Sequence, residues 1–335
     1  MPFSIMYAII IYIRNKLYDW RIFDIKQIPE TKCISVGNIT TGGTGKTPAV
    51  EYLAKILTQK GKKVAILSRG YRRKSTGTLT VSDGHQIYAD YEQSGDEPQL
   101  LARNLAGVPV IVESDRFKGG MFIWETFKPE IIILDDAFQH RRIERDLNIV
   151  LVDCTSGLQQ DSLLPAGTLR EPLSALKRSD IILLTRVDQA DQIISIRNII
   201  KKYTNALICE TIHQPVSLKE LNSNSEYSVD LIRNKKVALF SGIGNPGAFR
   251  STIMKLEADI VSESTFFDHH NYSQSELQEI YEKASINNAD WIITTEKDAV
   301  KLSKTKMIDY SIYYVKIQLQ FLKNESELRK RLNML

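Results

Sequence analysis

Cys33-Ile34-Ser35-Val36-Gly37-Asn38-Ile39-Thr40-Thr41-Gly42-Gly43-Thr44-Gly45-Lys46-Thr47-Pro48 decides how the rest of the chain is read. A short apolar run enters a glycine-rich turn. Ala49, Leu53, Ile56 and Leu57 then recur at helical spacing until Gly61 closes the helix. Strand, loop and helix in that order wrap backbone N–H groups around phosphates, and the helix N-terminus adds its positive dipole end. Thr40, Thr41, Gly42, Gly43, Thr44, Gly45, Lys46 and Thr47 are therefore the expected nucleotide-binding residues. Lys46 should reach the β- and γ-phosphates, and the Thr47 hydroxyl should meet magnesium. Two positions depart from the usual patterns. Thr40 stands where a glycine is usual, and Thr41 replaces the extra lysine of the Gly-Lys-Gly-Gly-x-Gly-Lys-Thr variant.

A metal partner is expected at the end of a nearby strand. Ile131-Ile132-Ile133-Leu134-Asp135-Asp136 supplies one, four apolar residues followed by two carboxylates. Ligands of open parallel sheets gather at that edge, and Mg2+ favours carboxylate and phosphate oxygens. The bland alternative is a pair of aspartates capping the next helix.

From residue 31 onward short β-rich runs alternate with helical patterns, which predicts an α/β fold: a P-loop NTPase-like, largely parallel sheet with helices on both faces. The strand candidates are Cys33–Val36, Val64–Leu67, Val110–Val112, Ile131–Leu134, Ile149–Val152 and Ile181–Leu184. Alternating residues around Asp83-Gly84 predict a β-hairpin near 77–90. A polar stretch from Asn222 to Lys236 reads as a linker, so the kinase-like domain should span 31–225 and a smaller α/β domain 226–335, closing over substrate. Strands are expected there at Val237–Phe240, Ile260–Ser262, Trp291–Thr294 and Ser311–Val315.

Residues 1–30 form a separate element. Ile5 to Ile13 carry no charge, and Arg14, Lys16, Trp20, Arg21 and Phe23 follow. The run is shorter than the about 20 apolar residues a membrane span needs, and it lacks the layout of a signal peptide. Aromatics mixed with cations suit the headgroup region of a bilayer. A helix packed on its own domain is the alternative.

Composition excludes some classes. The net charge of +4 is too mild for a nucleic-acid binder. Cys33, Cys154 and Cys209 lie too far apart for a zinc or disulfide framework. Each is expected as a small buried residue in a reducing compartment. Basic groups cluster at Arg69, Arg72, Arg73 and Lys74, and at Arg141, Arg142 and Arg145. They suit either anionic phosphates or a solvated face.

Five more residues stand in loops where chemistry collects. Asp96 lies between Gly95 and Pro98. His269 and His270 precede Ser273-Gln274-Ser275-Glu276, a capping box that opens a helix. Arg170 and Glu171 end the turn-rich run Pro165-Ala166-Gly167-Thr168-Leu169-Arg170-Glu171-Pro172. Arg170 could meet phosphate oxygens. Glu171 could join the metal shell, hold that cation in place, or form a local ion pair that shapes the loop.

These segments together resemble the tetraacyldisaccharide 4'-kinase family. The resemblance rests on Ser35-Val36-Gly37-Asn38, Ser68-Arg69-Gly70-Tyr71, Gly95-Asp96-Glu97-Pro98, Asp135-Asp136-Ala137-Phe138-Gln139-His140 and Leu164 to Pro172. It continues through Gly242-Ile243-Gly244-Asn245-Pro246, Phe267-Asp268-His269-His270 and Thr295-Glu296-Lys297-Asp298-Ala299, all in family order. Ala137 stands where the family usually has glycine, and Thr168 where it usually has proline. The resemblance implies transfer of the ATP γ-phosphoryl group to the 4'-hydroxyl of an acylated glucosamine disaccharide 1-phosphate, a late step of lipid A assembly. It implies ATP and Mg2+ as cofactors and the cytoplasmic face of the bacterial inner membrane as the location. It also implies that Asp96 accepts the hydroxyl proton while His269 pairs with it, and that Lys46 and Arg170 assist.

Two rival readings remain. Thr185-Arg186-Val187-Asp188 follows a strand, as does the Asn-Lys-x-Asp segment that reads guanine in P-loop GTPases and metallochaperones, but its first two residues differ. A regulator that uses nucleotide only as a switch is the other.

Overall fold

Strand β1, Lys32–Asn38, is buried from its second residue onward, and its side chains alternate between two apolar layers. Ile34 and Val36 pack with Ala49, Val50, Leu53 and Leu57 of helix α2 (Lys46–Gln59), while Cys33 packs with Ile123 from the opposite face. A strand apolar on both faces must have helices on both sides of its sheet. The computed structural model describes residues 2–158, 162–223, 225–302 and 311–335.

Two compact units divide the chain, 1–213 with 319–335, and 214–318. In the first, helix α1 (Pro2–Asp19) precedes β1 and α2, followed by β2 (Val64–Ser68), β3 (Leu79–Ser82), α3 (Tyr91–Ser94) and α4 (Asp96–Asn104). Then come β4 (Val110–Val112), α5 (Arg116–Phe127), β5 (Ile131–Asp135), β6 (Leu147–Asp153), β7 (Ile181–Thr185), α6 (Ile193–Lys201) and β8 (Leu207–Glu220). Their spatial order is β8-β7-β6-β1-β5-β2-β4-β3, parallel except for β3 against β4. β1 lies between β5 and β6, where the chain switches direction across the sheet, and such a switch point opens a ligand crevice at the strands' C-terminal ends.

The expected strands are present, half of them a residue or two longer. The hairpin is different. Only Leu79–Ser82 forms a strand, and it pairs with β4; its expected second arm is reduced to one bridge, Ser82 to Ile87. Local alternation marked the turn at Asp83, but the longer-range partner Val110–Val112 took the ladder.

The second unit holds four parallel strands in the order β11-β10-β12-β13. They are β10 (Lys236–Ser241), β11 (Asp259–Thr265), β12 (Trp291–Thr295) and β13 (Ile312–Lys323). The two-residue β9 (Glu226–Tyr227) pairs antiparallel with β8. Helix α8 (Gln274–Ile286) starts with the anticipated Ser273–Glu276 capping box. The chain leaves the first unit inside β8 and returns inside β13, so the boundary expected at 225 falls within the second unit. A crossing inside a strand has no polar, turn-rich signature to read.

Candidate active site

The loop between β1 and α2 is built by close approaches. A Cβ on Gly37 would lie 2.7 Å from Phe138 Cβ, and Gly42 and Gly45 adopt left-handed φ of 101° and 89°. Asn38 Nδ2 donates to Thr44 Oγ1 at 2.9 Å. The segment 168–170 is stitched along the loop: Thr41 N donates to Thr168 O at 2.8 Å, and Arg170 N to Ile39 O at 2.7 Å. Thr40 is bridged to Leu169 in this ladder, which explains why no glycine is needed there.

Register places the acidic pair beside the loop, since Val36 of β1 is paired with Asp135 of β5. Asp135 Oδ2 accepts from Ser68 Oγ at 2.9 Å, and Arg116 Nη2 donates to the Asp135 carbonyl at 3.1 Å. Asp135 Oδ1 is buried with no hydrogen-bond partner among the described residues. Burial, together with the charges of Glu97 and Asp136, pushes this carboxyl up to about 6. Asp136 behaves oppositely. Burial raises its pKa, but Lys46 and Arg170 outweigh that and hold the carboxyl below its ordinary value. Arg170 Nη1 reaches Asp136 Oδ1 and Oδ2 at 2.8 and 3.0 Å, and Lys46 Nζ lies 3.5 Å from Oδ1. Asp136 thus sits between two cations, at a left-handed φ of 49°.

Asp96 begins α4 and is buried, its Oδ1 accepting from Glu97 N at 2.9 Å. Gly95 enters this helix at φ 93°, where a Cβ would lie 3.1 Å from Tyr71 O, and a Cβ on Gly70 would lie 2.9 Å from Ser94 O. The loops after β2 and before α4 therefore lie against each other at one sheet edge. Glu97 acts electrostatically on Asp135.

Glu171 has a use that the sequence left as one of three. Its fully buried carboxylate accepts from Arg178 Nη2 and Asn15 Nδ2, both at 2.8 Å, and lies 3.4 Å from Arg14. Tyr7 Oη donates to the Arg170 carbonyl at 2.8 Å, and Ala166 N donates to Ser4 Oγ at 3.1 Å. Ser4, Tyr7, Ile11 and Asn15 thus form the inward stripe of α1. Phe3, Ile5, Met6, Ile9, Ile10, Tyr12 and Ile13 are each at least half exposed. Among the described residues, no helix is long and apolar enough to cross a membrane.

His269 belongs to the second unit, at φ 63°, with Nε2 3.7 Å from Asp268 Oδ2; Asp268 also pairs with Lys297 at 3.3 Å. His270 is engaged in packing: it stacks on Phe266, and its Nε2 lies 3.0 Å from Glu276.

Most of the basic clusters are structural. Arg73 donates to the carbonyls of Val112 and Gly77, Lys74 pairs with Glu92, Arg142 with Asp115, and Arg145 donates to Phe138 O. Arg141 ties Asp19 and the Asn15 carbonyl of α1 to the body of the unit. The cysteine thiols are buried and pushed up to about 12 by that burial, which leaves them unreactive. Sequence reading passed over Ser68, Glu97, Arg116 and Asn15. Ser68 and Glu97 lay inside quoted motifs and carried a signal, whereas Arg116 and Asn15 had none beyond their polarity.

A glycine-rich loop ahead of a helix, its lysine beside paired strand-end aspartates, defines a P-loop phosphotransferase. The model of one such family, tetraacyldisaccharide-1-P 4'-kinase (LpxK), matches residues 1–335, and the chain belongs to that family. Its similarity to tetraacyldisaccharide 4'-kinase of Aquifex aeolicus is 39% identity over 321 residues, covering 95% of this chain and 94% of that protein. The corresponding enzyme of Halothermothrix orenii is 38% identical over 324 residues, covering 92% and 84%. A crystal structure of LpxK from Aquifex aeolicus, described as an "apo" form in complex with ATP, superposes with a TM-score of 0.80 at 36% identity, covering 99% of this chain and 97% of that one. The chain is an enzyme of lipid A biosynthesis, a tetraacyldisaccharide 4'-kinase.

Proposed function

We propose that the enzyme transfers the γ-phosphoryl group of ATP with Mg2+ at the edge just described, while α1 rests on the membrane that holds the acceptor. The observation that carries this reading is Asp136 gripped by Lys46 and Arg170 beside the unpartnered oxygen of Asp135. A buried carboxylate oxygen without a donor, with Glu97 and Asp136 adding negative charge, fits a hard cation. Asp135, Asp136 and the Thr47 hydroxyl would hold it. When bound, the metal neutralises charge on the phosphate oxygens. Lys46 and Arg170 exchange part of their contact with Asp136 for the transferring group, supplying preorganised positive charge as it moves.

Asp96 is assigned as the acceptor of the 4'-hydroxyl proton, with His269 tuning its basicity. Glu171, whose Oε2 accepts from both Arg178 and Asn15 while Oε1 lies 3.4 Å from Arg14, acts by fixing the loop that presents Arg170. The outward apolar face of α1 and the cations Arg14, Lys16 and Arg21 suit the interface of an anionic bilayer, on the cytoplasmic side where ATP is available.

The test is an assay with ATP and acylated glucosamine disaccharide 1-phosphate in mixed micelles, with the new phosphate located by mass spectrometry and NMR. Phosphate on the 4' position is expected. Turnover of nucleotide without phosphorylated lipid would point to a switch protein, and a preference for GTP to the GTPase reading.

A further inference from the structure

The segment that imperfectly resembles a guanine reader has another use in this fold. Arg186, at the end of β7, is nearly buried and pairs through Nη1 with Asp153 Oδ2 at the end of β6. Its Nη2 donates to the Gly43 carbonyl at 2.9 Å. Thr185 Oγ1 donates to the very next carbonyl, that of Thr44, at 3.0 Å. On the same side, the buried His213 imidazole fills the space left by Gly45: a Cβ there would lie 2.4 Å from Nε2. That Nε2 has no hydrogen-bond partner.

We propose that Arg186 and Thr185, braced by Asp153 and floored by His213, are positioning residues that hold the phosphate loop in its binding conformation. The C=O and N–H of one trans peptide point in opposite directions. Fixing the Thr44 carbonyl toward β7 therefore turns the Gly45 N–H the other way, toward the mouth of the loop. Fixing the Gly43 carbonyl keeps an acceptor from facing the phosphates. A loop rich in glycine has many other conformations open to it, and excluding them in advance removes an ordering cost from nucleotide binding. Arg186 suits the task because its planar fork satisfies a carboxylate and a carbonyl at once, which a lysine cannot do with the same geometry. His213 contributes shape: burial, with Arg186 nearby, holds its pKa well below the ordinary value, so the ring adds no charge.

This inference rests on the kinase reading and deepens it. The experiment compares Arg186→Ala, Arg186→Lys and Thr185→Val in the full chain, measuring kcat, KM for ATP and for acceptor, and affinities for ADP and inorganic tripolyphosphate. Arg186→Ala should weaken ADP and tripolyphosphate alike by about tenfold or more, the scale of a charge-assisted hydrogen bond, and raise KM for ATP in step. Acceptor KM should stay close to that of the parent, and Arg186→Lys should recover part of the loss. Unchanged nucleotide affinity with a lower melting temperature would overturn the proposal in favour of a purely structural role. Weakened ADP with unchanged tripolyphosphate would overturn it in favour of base reading. Should Arg186→Ala fail to fold, Thr185→Val still decides, because it keeps volume and charge while removing one bond; normal tripolyphosphate affinity in that variant sinks the idea. Lys46→Ala separates the two readings. If it is impaired while Arg186→Ala is normal, only the present inference falls.

Discussion

Asn15 Nδ2 donates to Glu171 Oε2 at 2.8 Å across 156 residues of sequence, joining the N-terminal helix to the neighbour of the arginine that grips Asp136. Tyr7 and Ser4 add contacts to the same loop about two and three turns away. Helix α1 is inverted relative to an ordinary surface helix, with hydrogen-bonding groups turned inward and large apolar side chains outward. An exposed apolar surface and a loop-supporting surface thus occupy opposite sides of one helix.

Uncoupling those sides should cost turnover without costing membrane binding. Asn15→Leu removes the amide and leaves the buried Glu171 with one fewer donor. We expect kcat to fall by roughly threefold to tenfold, the scale of an ordinary hydrogen bond, with vesicle co-sedimentation unchanged. Unaltered kcat would show that the loop keeps Arg170 in place without help from α1.

The outward face makes a separate prediction. Ile9→Glu with Ile13→Glu places two charges on residues that are already about half exposed, so stability should hardly move. Binding to anionic vesicles should fall by at least about tenfold, given roughly 1.5–3 kcal/mol per apolar side chain taken from water. Retained binding would mean that the membrane meets some other surface.

The charge that the proposed metal site places on Asp135 costs stability. Its carboxyl is fully buried and stands near 6, above the unfolded value of 3.8. Above pH 6 the folded protein carries a charge that the unfolded chain bears more easily, so this group lowers stability as pH rises from about 4 to 6 and continues to do so above it. Asp135→Asn keeps an acceptor for Ser68 and removes the charge. It should stabilise the metal-free protein at pH 8 by up to roughly 3 kcal/mol, lose that advantage below pH 4, and be nearly inactive. Thermal melts at both pH values check the sign. An Asn variant less stable than the parent at pH 8 would contradict the assignment.

Features written in neighbouring residues were legible in the sequence, and features made by distant partners were not. Val110–Val112, the strand ahead of Asp135 and the capping box at Ser273 are local patterns of apolarity and hydrogen-bonding side chains, and each stands where its pattern lies. The second arm of the hairpin yielded to a ladder partner more than twenty residues away. The crossing between units falls inside β8 and β13, where nothing in composition changes. Within the site, the loop and the Asp135–Asp136 pair came from short motifs. The roles of Glu171 and Arg186 did not, because each depends on which side chain from another element arrives beside it. Thr40 was a departure on paper only, since its ladder contact to Leu169 requires no glycine.

Lys46 and Arg170 share Asp136 but should fail differently. Lys46→Ala removes a charge that the proposed mechanism aims at the transferring group and should lower kcat/KM by about 10²-fold or more. Arg170→Ala should lower kcat with little change in melting temperature, because Arg170 lies on a loop and is partly exposed. A large drop in melting temperature with normal specific activity would instead make Arg170 a structural residue.

The last prediction concerns the proton. A sugar hydroxyl must lose its proton as it attacks, and a positioned carboxylate lowers that barrier. Gly95 turns the chain at φ 93° so that Asp96 opens α4 beside the loop after β2, where Gly70 and Ser94 approach closely. The competing role is capping, since Oδ1 accepts from Glu97 N. Asp96→Asn distinguishes the two, because an amide oxygen still accepts that bond but takes no proton. If Asp96 is the base, the Asn variant should fold and bind ATP normally while losing 10²-fold or more of kcat, within the roughly 10²–10⁴ usual for general-base catalysis. His269→Ala tests the other half of the assignment: kcat should fall yet stay measurable, and an unchanged kcat would remove His269 from it. More than roughly a tenth of the parental kcat in Asp96→Asn would rule Asp96 out as the base.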